Sequence, residues 1–255
     1  MMMPATARVA GGTGPAAIFV HGVGSTAAIW DDQLHALRAE YRCFAVELRG
    51  NGVPKPEPPP QLITREGYAD DVLCVADAAA AARFHFVGCS LGGVVAFELC
   101  KRAPERLLSL TLVGSFAQYP DSAQYVRTIV ESVRQAGSME QFARERAARL
   151  GMPPGKRTDE TVAQMACKSV DSYIAATYAT WTGDYRGMLS SIACPVLVVC
   201  GERDAIAPPS MSEAIASAIP GARLHVLEGA GHVANADAPE AFNAILRAFL
   251  SRAGA

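Results

Sequence analysis

Phe86-Val87-Gly88-Cys89-Ser90-Leu91-Gly92-Gly93 is an apolar strand end that runs into a turn of small residues with one serine at its apex. The Gly88-x-Ser90-x-Gly92 spacing is that of a nucleophile elbow, where a sharp strand-to-helix turn lifts a serine oxygen above a sheet. The flanks agree with the motif. Phe84 to Val87 reads as a buried strand, and Val94 to Cys100 continues as a helix that Pro104 closes off. Gly and Ser also populate ordinary turns, so the elbow gains meaning only if the rest of the chain supplies a base and an acid.

On either side of the elbow, short apolar runs alternate with helix-period segments. Strands are expected at 16–20, 41–46, 107–113, 196–200 and 223–227, with helices at 64–82, 210–219 and 239–250. This rhythm predicts an α/β fold with a mostly parallel central sheet and helices on both faces. The residues before Ala16 read as a Gly/Ala-rich lead-in, and the proline cluster from Pro54 to Pro60 as a stiff surface loop. Between about Gln118 and Gly187 the strand runs stop and arginines accumulate at 127, 134, 144, 146, 149 and 157. Helix-period stretches cover 123–135, 139–150 and 160–181, broken by Gly151-Met152-Pro153-Pro154-Gly155. The expected organisation is a core from residues 1–117 and 188–255 with a helical cap at 118–187.

Partners for Ser90 are found by asking which residues follow strand ends, since an open parallel sheet binds ligands at the carboxyl ends of its strands. Val23, Asp204 and His232 satisfy this along with Ser90. Of five histidines, His35 sits on a polar helix face and His85 and His225 lie inside strands, which leaves His21 and His232 at strand exits. His232 is the expected base, and Asp204, favoured over Glu202, the acid that orients it. The chain order Ser, Asp, His is the one expected with an elbow serine. Gly114-Ser115-Phe116, after the 107–113 strand, offers no acid before Asp121. Backbone N–H groups of Leu91 and Val23 are the expected oxyanion donors. Ser25, Trp181 and Val233 are candidate substrate contacts, and a cap arginine a candidate carboxylate partner, although core or surface roles compete for both.

Composition narrows the alternatives. The 255 residues are half apolar and 19% charged with net charge −2, which gives no reason to expect nucleic acid or an anionic membrane as partner. Seven cysteines without C-x-x-C spacing argue for a reducing compartment. The N-terminal Met1 to Arg8 has no apolar signal-peptide core, and no 18-residue apolar run occurs, so a cytoplasmic location is expected. H-E-x-x-H, paired CxxC and P-loop patterns are absent, and no cofactor or metal is expected. Oligomeric state is not legible.

His21-Gly22-Val23-Gly24, Glu47 to Gly52, Gly88 to Gly93, Gly201-Glu202-Arg203-Asp204 and Gly229-Ala230-Gly231-His232 together resemble the α/β-hydrolase superfamily, from about Ile18 to Leu250. The resemblance implies a sheet of about eight strands carrying a helical cap. His232-Val233-Ala234-Asn235 followed by Asp237-Ala238-Pro239-Glu240-Ala241-Phe242 is similar to the 3-oxoadipate enol-lactonase group and related small esterases. Glu47 replaces the usual aspartate, and with about twenty residues before His21 the usual N-terminal hairpin reads as shortened or absent. The expected activity is hydrolysis of a small ester or lactone through an acyl-enzyme. A carbon–carbon or thioester hydrolase with the same triad, and a low-turnover ligand sensor, are the alternatives.

Overall fold

A computed structural model describes residues 6–51, 57–149, 152 and 154–253. Gly52, Pro54 and Pro56 of the proline-rich loop, Leu150, Gly151 and Pro153 of the break in the helical region, and the side chain of Arg157 lie outside the described residues, as do residues 1–5.

Among the described residues, seven strands form one sheet: β1 (Thr6–Ala10), β2 (Ala16–Val20), β3 (Arg42–Glu47), β4 (Phe84–Cys89), β5 (Leu107–Val113), β6 (Val196–Gly201) and β7 (Arg223–Leu227), in the spatial order β1-β3-β2-β4-β5-β6-β7. All neighbours pair in parallel except β1, which runs antiparallel to β3. The expected lead-in is therefore an edge strand, Thr6 to Ala10 facing Glu47 to Cys43. Its exposed side chains carry no burial pattern of their own, and only the free edge of β3 makes it a strand.

Period-two alternation sorts the strand side chains into two cores. Ile18, Phe86 and Val198 join the layer under α2 (Arg65–Ala78), α3 (Leu91–Arg102) and α8 (Pro209–Ala218). Phe19, Val87 and Val199 face α1 (Asp31–Leu37) and α10 (Pro239–Ala253) on the other side. α2 begins where Thr64 accepts the Gly67 N–H at 3.0 Å, and it ends at Ala78, short of the expected Ala82. α3 is buried all along Leu91 to Leu99, as expected of the helix that follows the central strand. His225 lies exposed on the edge strand β7 rather than in a strand interior.

Among the described residues, four α-helices stand between β5 and β6: α4 (Ser122–Gln135), α5 (Met139–Arg149), α6 (Lys156–Ala166) and α7 (Val170–Trp181). The expected single stretch 160–181 is two helices, because Ser169 caps α7 by accepting the Ser172 N–H at 3.2 Å and Lys168 turns inward between them. The insertion closes on itself at its root. Gln118 bridges Asp184, and the Tyr185 N–H donates to the Ala117 carbonyl at 2.8 Å. A last short helix, α9 (Ala234–Asp237), precedes α10. Among the described residues no helix is long and apolar enough to cross a membrane.

Candidate active site

Ser90 stands between β4 and α3 with φ 54° and ψ −108°, a conformation a residue with a Cβ rarely adopts and one worth about 1–3 kcal/mol of strain. Two hydrogen bonds hold it there: the Ser90 N–H donates to the Val113 carbonyl at 2.9 Å, and the Gly93 N–H donates to the Ser90 carbonyl at 2.7 Å. Gly88 is required because a Cβ on it would run into the Gly92 backbone. α3 starts at Leu91 without a side-chain cap, so its first N–H groups face the elbow unpaired within the helix.

The expected acid and base stand at neighbouring strand ends. Asp204, buried after β6, accepts the N–H groups of Ile206 and Ala207 on Oδ1 at 2.9 and 2.8 Å, and Oδ2 faces His232 Nδ1 at 2.8 Å. Donation from Nδ1 places the imidazole proton there and leaves the lone pair on Nε2. Glu202, the competing acid, instead accepts the Gly229 N–H at 2.9 Å. It helps join the acid loop to the base loop, along with Arg203 N–H to the Ala230 carbonyl, while Asp237 accepts the Gly231 N–H beside the histidine.

Gly114 connects this pair to the elbow. It follows Val113, whose carbonyl holds Ser90, and it has φ 52°. A Cβ there would lie 2.8 Å from the His232 carbonyl and 3.1 Å from both His232 Nδ1 and Asp204 Oδ2. The strand exit that holds no acid is thus the floor on which the acid–base pair rests. The sequence marked this position only as empty.

Gly22 brings the second loop against the serine, since a Cβ on it would lie 3.3 Å from Ser90 Cβ. Val23 follows, and the Ser25 N–H closes the turn on the Gly22 carbonyl at 3.2 Å. Behind it, buried His21 accepts the Leu48 N–H on Nε2 at 3.3 Å, with the same nitrogen 3.4 Å from Glu47 Oε1 and Nδ1 2.9 Å from the Gly22 carbonyl, and the ring braces the loop. His21 thus lies between the loop and Glu47, whereas His232 pairs with the buried Asp204. The outer end of the loop is held by Glu47, whose Oε2 accepts the Ala27 N–H at 3.0 Å.

The cap lies over this loop. Met165 and Tyr173 occupy the space a side chain on Gly24 would need, and neither was singled out in the sequence because their spacing is that of any amphipathic helix. Trp181 is buried in an aromatic group, stacked on Phe116 at 4.9 Å and packed edge-on against Tyr119 and Tyr125. Tyr119 donates to the Ile206 carbonyl at 3.1 Å, which ties that group to the Asp204 loop. Val233, half-buried next to His232, starts α9 and accepts the N–H groups of Ala236 and Asp237.

A strained elbow serine, a second glycine loop touching it and an Asp–His pair at adjoining strand ends are joined by a sequence match: residues 17–245 fit the model of the alpha/beta hydrolase family. The chain belongs to the alpha/beta hydrolase family. Among curated relatives of this hydrolase, a pimeloyl-[acyl-carrier protein] methyl ester esterase of Neisseria meningitidis serogroup C / serotype 2a (strain ATCC 700532 / DSM 15464 / FAM18) is 32% identical over 91% of both chains. A protein named as a carbamate hydrolase, RutD, from Pseudomonas syringae pv. syringae (strain B728a), is 29% identical over 93% of this chain and 94% of its own. The enol-lactonase of Burkholderia xenovorans LB400 superposes with a TM-score of 0.84 over 97% of this chain and 96% of its own, at 24% identity, which speaks for a shared fold. The family resemblance read from the sequence is therefore correct, with seven strands described where about eight were implied.

Proposed function

We propose that this hydrolase cleaves a small carboxylic ester or lactone through an acyl-enzyme, with Ser90 as nucleophile, His232 as base and Asp204 as the acid that orients it. The observation that carries the reading is the Asp204–His232 pair at 2.8 Å, resting on Gly114 one residue from the carbonyl that fixes Ser90. Ser90 Oγ attacks the substrate carbonyl carbon as His232 Nε2 takes its proton, and the tetrahedral oxyanion is met by the N–H groups of Val23 and Leu91. Collapse expels the alcohol, which leaves with the proton from His232. Water, deprotonated by the same nitrogen, then attacks acyl-Ser90 and releases the acid. Ser25, Trp181 and Val233 are the proposed substrate contacts, and the 118–187 insertion is the proposed cap that selects the substrate.

The likeness to the Neisseria esterase favours an ester over a carbon–carbon bond, and the likeness to RutD makes a carbamate the second reading, with the same acyl chemistry. A panel of short p-nitrophenyl esters, lactones and an alkyl carbamate, run on wild type and Ser90→Ala, tests the proposal. Turnover of the best substrate should fall at least about 10³-fold in the variant. Equal activity in Ser90→Ala would sink the reading.

A further inference from the structure

Lys168 lies between α6 and α7 with only 4% of its surface exposed, and its ammonium reaches out of the cap into the core. Nζ donates to the Ser25 carbonyl at 3.1 Å and to the Asn51 carbonyl at 2.7 Å. Ser25 ends the loop that presents Val23, and Asn51 belongs to the loop after β3, so one side chain of the insertion ties two separate core loops together. Burying an ammonium is expensive, and an apolar side chain of the same length would anchor the cap at lower cost. An ammonium offers what an apolar chain lacks, which is directed bonds to carbonyl oxygens.

The surroundings are arranged around this group. Glu57 accepts the Ser169 N–H at 3.2 Å and both the Ser169 and Ser172 hydroxyls at 2.6 Å, which fixes the start of α7 directly after the lysine. Glu47 holds the far end of the 21–27 loop through Ala27. Glu47, Glu57 and Cys167 are the titratable groups that face the ammonium. The backbone is fixed on both sides of the contact.

We propose that Lys168 is a positioning residue for the oxyanion hole: by gripping the Ser25 and Asn51 carbonyls it keeps the Val23 N–H aimed at the charge that develops on the substrate oxygen. This rests on the oxyanion role proposed for Val23. It also couples the cap to the chemistry, because lifting the insertion withdraws the cation from the loop. Burial pushes the ammonium down to about 8, against the opposing pull of Glu47 and Glu57, so the grip weakens as pH rises through that value.

The test is Lys168→Met on a short p-nitrophenyl ester, run beside Ser90→Ala. Loss of the grip should lower kcat about tenfold or more, less than the 10²–10³ of deleting an oxyanion donor outright, while KM moves by less than about threefold. A trifluoromethyl ketone that adds reversibly to Ser90 mimics the oxyanion, and its affinity should weaken by the same factor as kcat/KM, with the carboxylate product bound as before. In wild type, kcat and ketone affinity should both decline above pH about 8, and that decline should be missing in Lys168→Met. Wild-type kcat in a folded Lys168→Met, or ketone affinity unaltered by the substitution, overturns the inference. If the methionine variant does not fold, Lys168→Gln, which retains an N–H donor, replaces it, and the wild-type ketone titration needs no variant: affinity flat from pH 7 to 10 overturns the proposal. An inactive Ser90→Ala beside an unaffected Lys168 variant removes this inference alone, whereas an active Ser90→Ala removes the hydrolase reading beneath it.

Discussion

Gly114 shows how little room the acid–base pair leaves. Replacing it with alanine adds one methyl to a residue with φ 52°, and that methyl would meet His232 Nδ1 and Asp204 Oδ2 at 3.1 Å. The backbone strain and the displaced pair act together. Gly114→Ala should unfold about 1–2 kcal/mol more easily in urea and lose about tenfold or more in kcat, since small misplacements of catalytic groups are costly. Circular dichroism and ester turnover on one preparation separate the two losses. An alanine variant with wild-type turnover would show that the pair does not depend on this floor. Ser90, Asp204 and His232, the proposed triad, stand out in the sequence because each follows a strand and sits in a small-residue loop with its own spacing. Gly114 does not, since a glycine after a strand has many uses, and its use here depends on loops 90 and 118 residues further along the chain.

At the scale of elements, the sequence was informative where a segment carried its own pattern and silent where a partner defined it. β2, β4, β5 and β6 are apolar runs buried on both faces and were read as strands, whereas β1 exists because β3 had a free edge. The cap was legible as helical, but its internal break was not. Ser169 ends one helix reading and starts another through contacts with Glu57, 112 positions earlier, and Lys168 finds its carbonyls 143 and 117 positions away. Ser169→Ala removes both the cap of α7 and a Glu57 contact, and should cost about 1 kcal/mol, seen as a melting point lower by about 2–4 °C. An unchanged melting point would mean that Glu57 and the Ser172 hydroxyl suffice to start the helix.

Over the whole molecule, two apolar layers enclose a sheet that also buries polar groups, and one of them links stability to pH. His85, fully buried in β4 with Nδ1 2.8 Å from Ser109 Oγ, has its basicity lowered to about 4, first by burial and then by the charge of Arg83. The unfolded chain binds a proton on this ring near 6.5, and the folded chain does not until about 4. Its contribution is therefore intact above pH 6.5 and is lost on acidification toward 4, with a slope of up to about 1.4 kcal/mol per pH unit. Urea unfolding of wild type and His85→Gln between pH 7.5 and 5 should show the gap between them narrow as the pH falls. A constant gap would assign the acid sensitivity elsewhere. The root of the insertion has a different consequence, for exchange between relatives. Because Gln118 and Asp184 face each other across a single bridge, the chain leaves and re-enters the sheet at one point, and the four helices form a cassette that can be replaced without rethreading a strand. A transplanted cassette would change selectivity while keeping Ser90, Asp204 and His232 in place, but it would have to bring its own cation to the Ser25 carbonyl, or the new enzyme would be selective and slow.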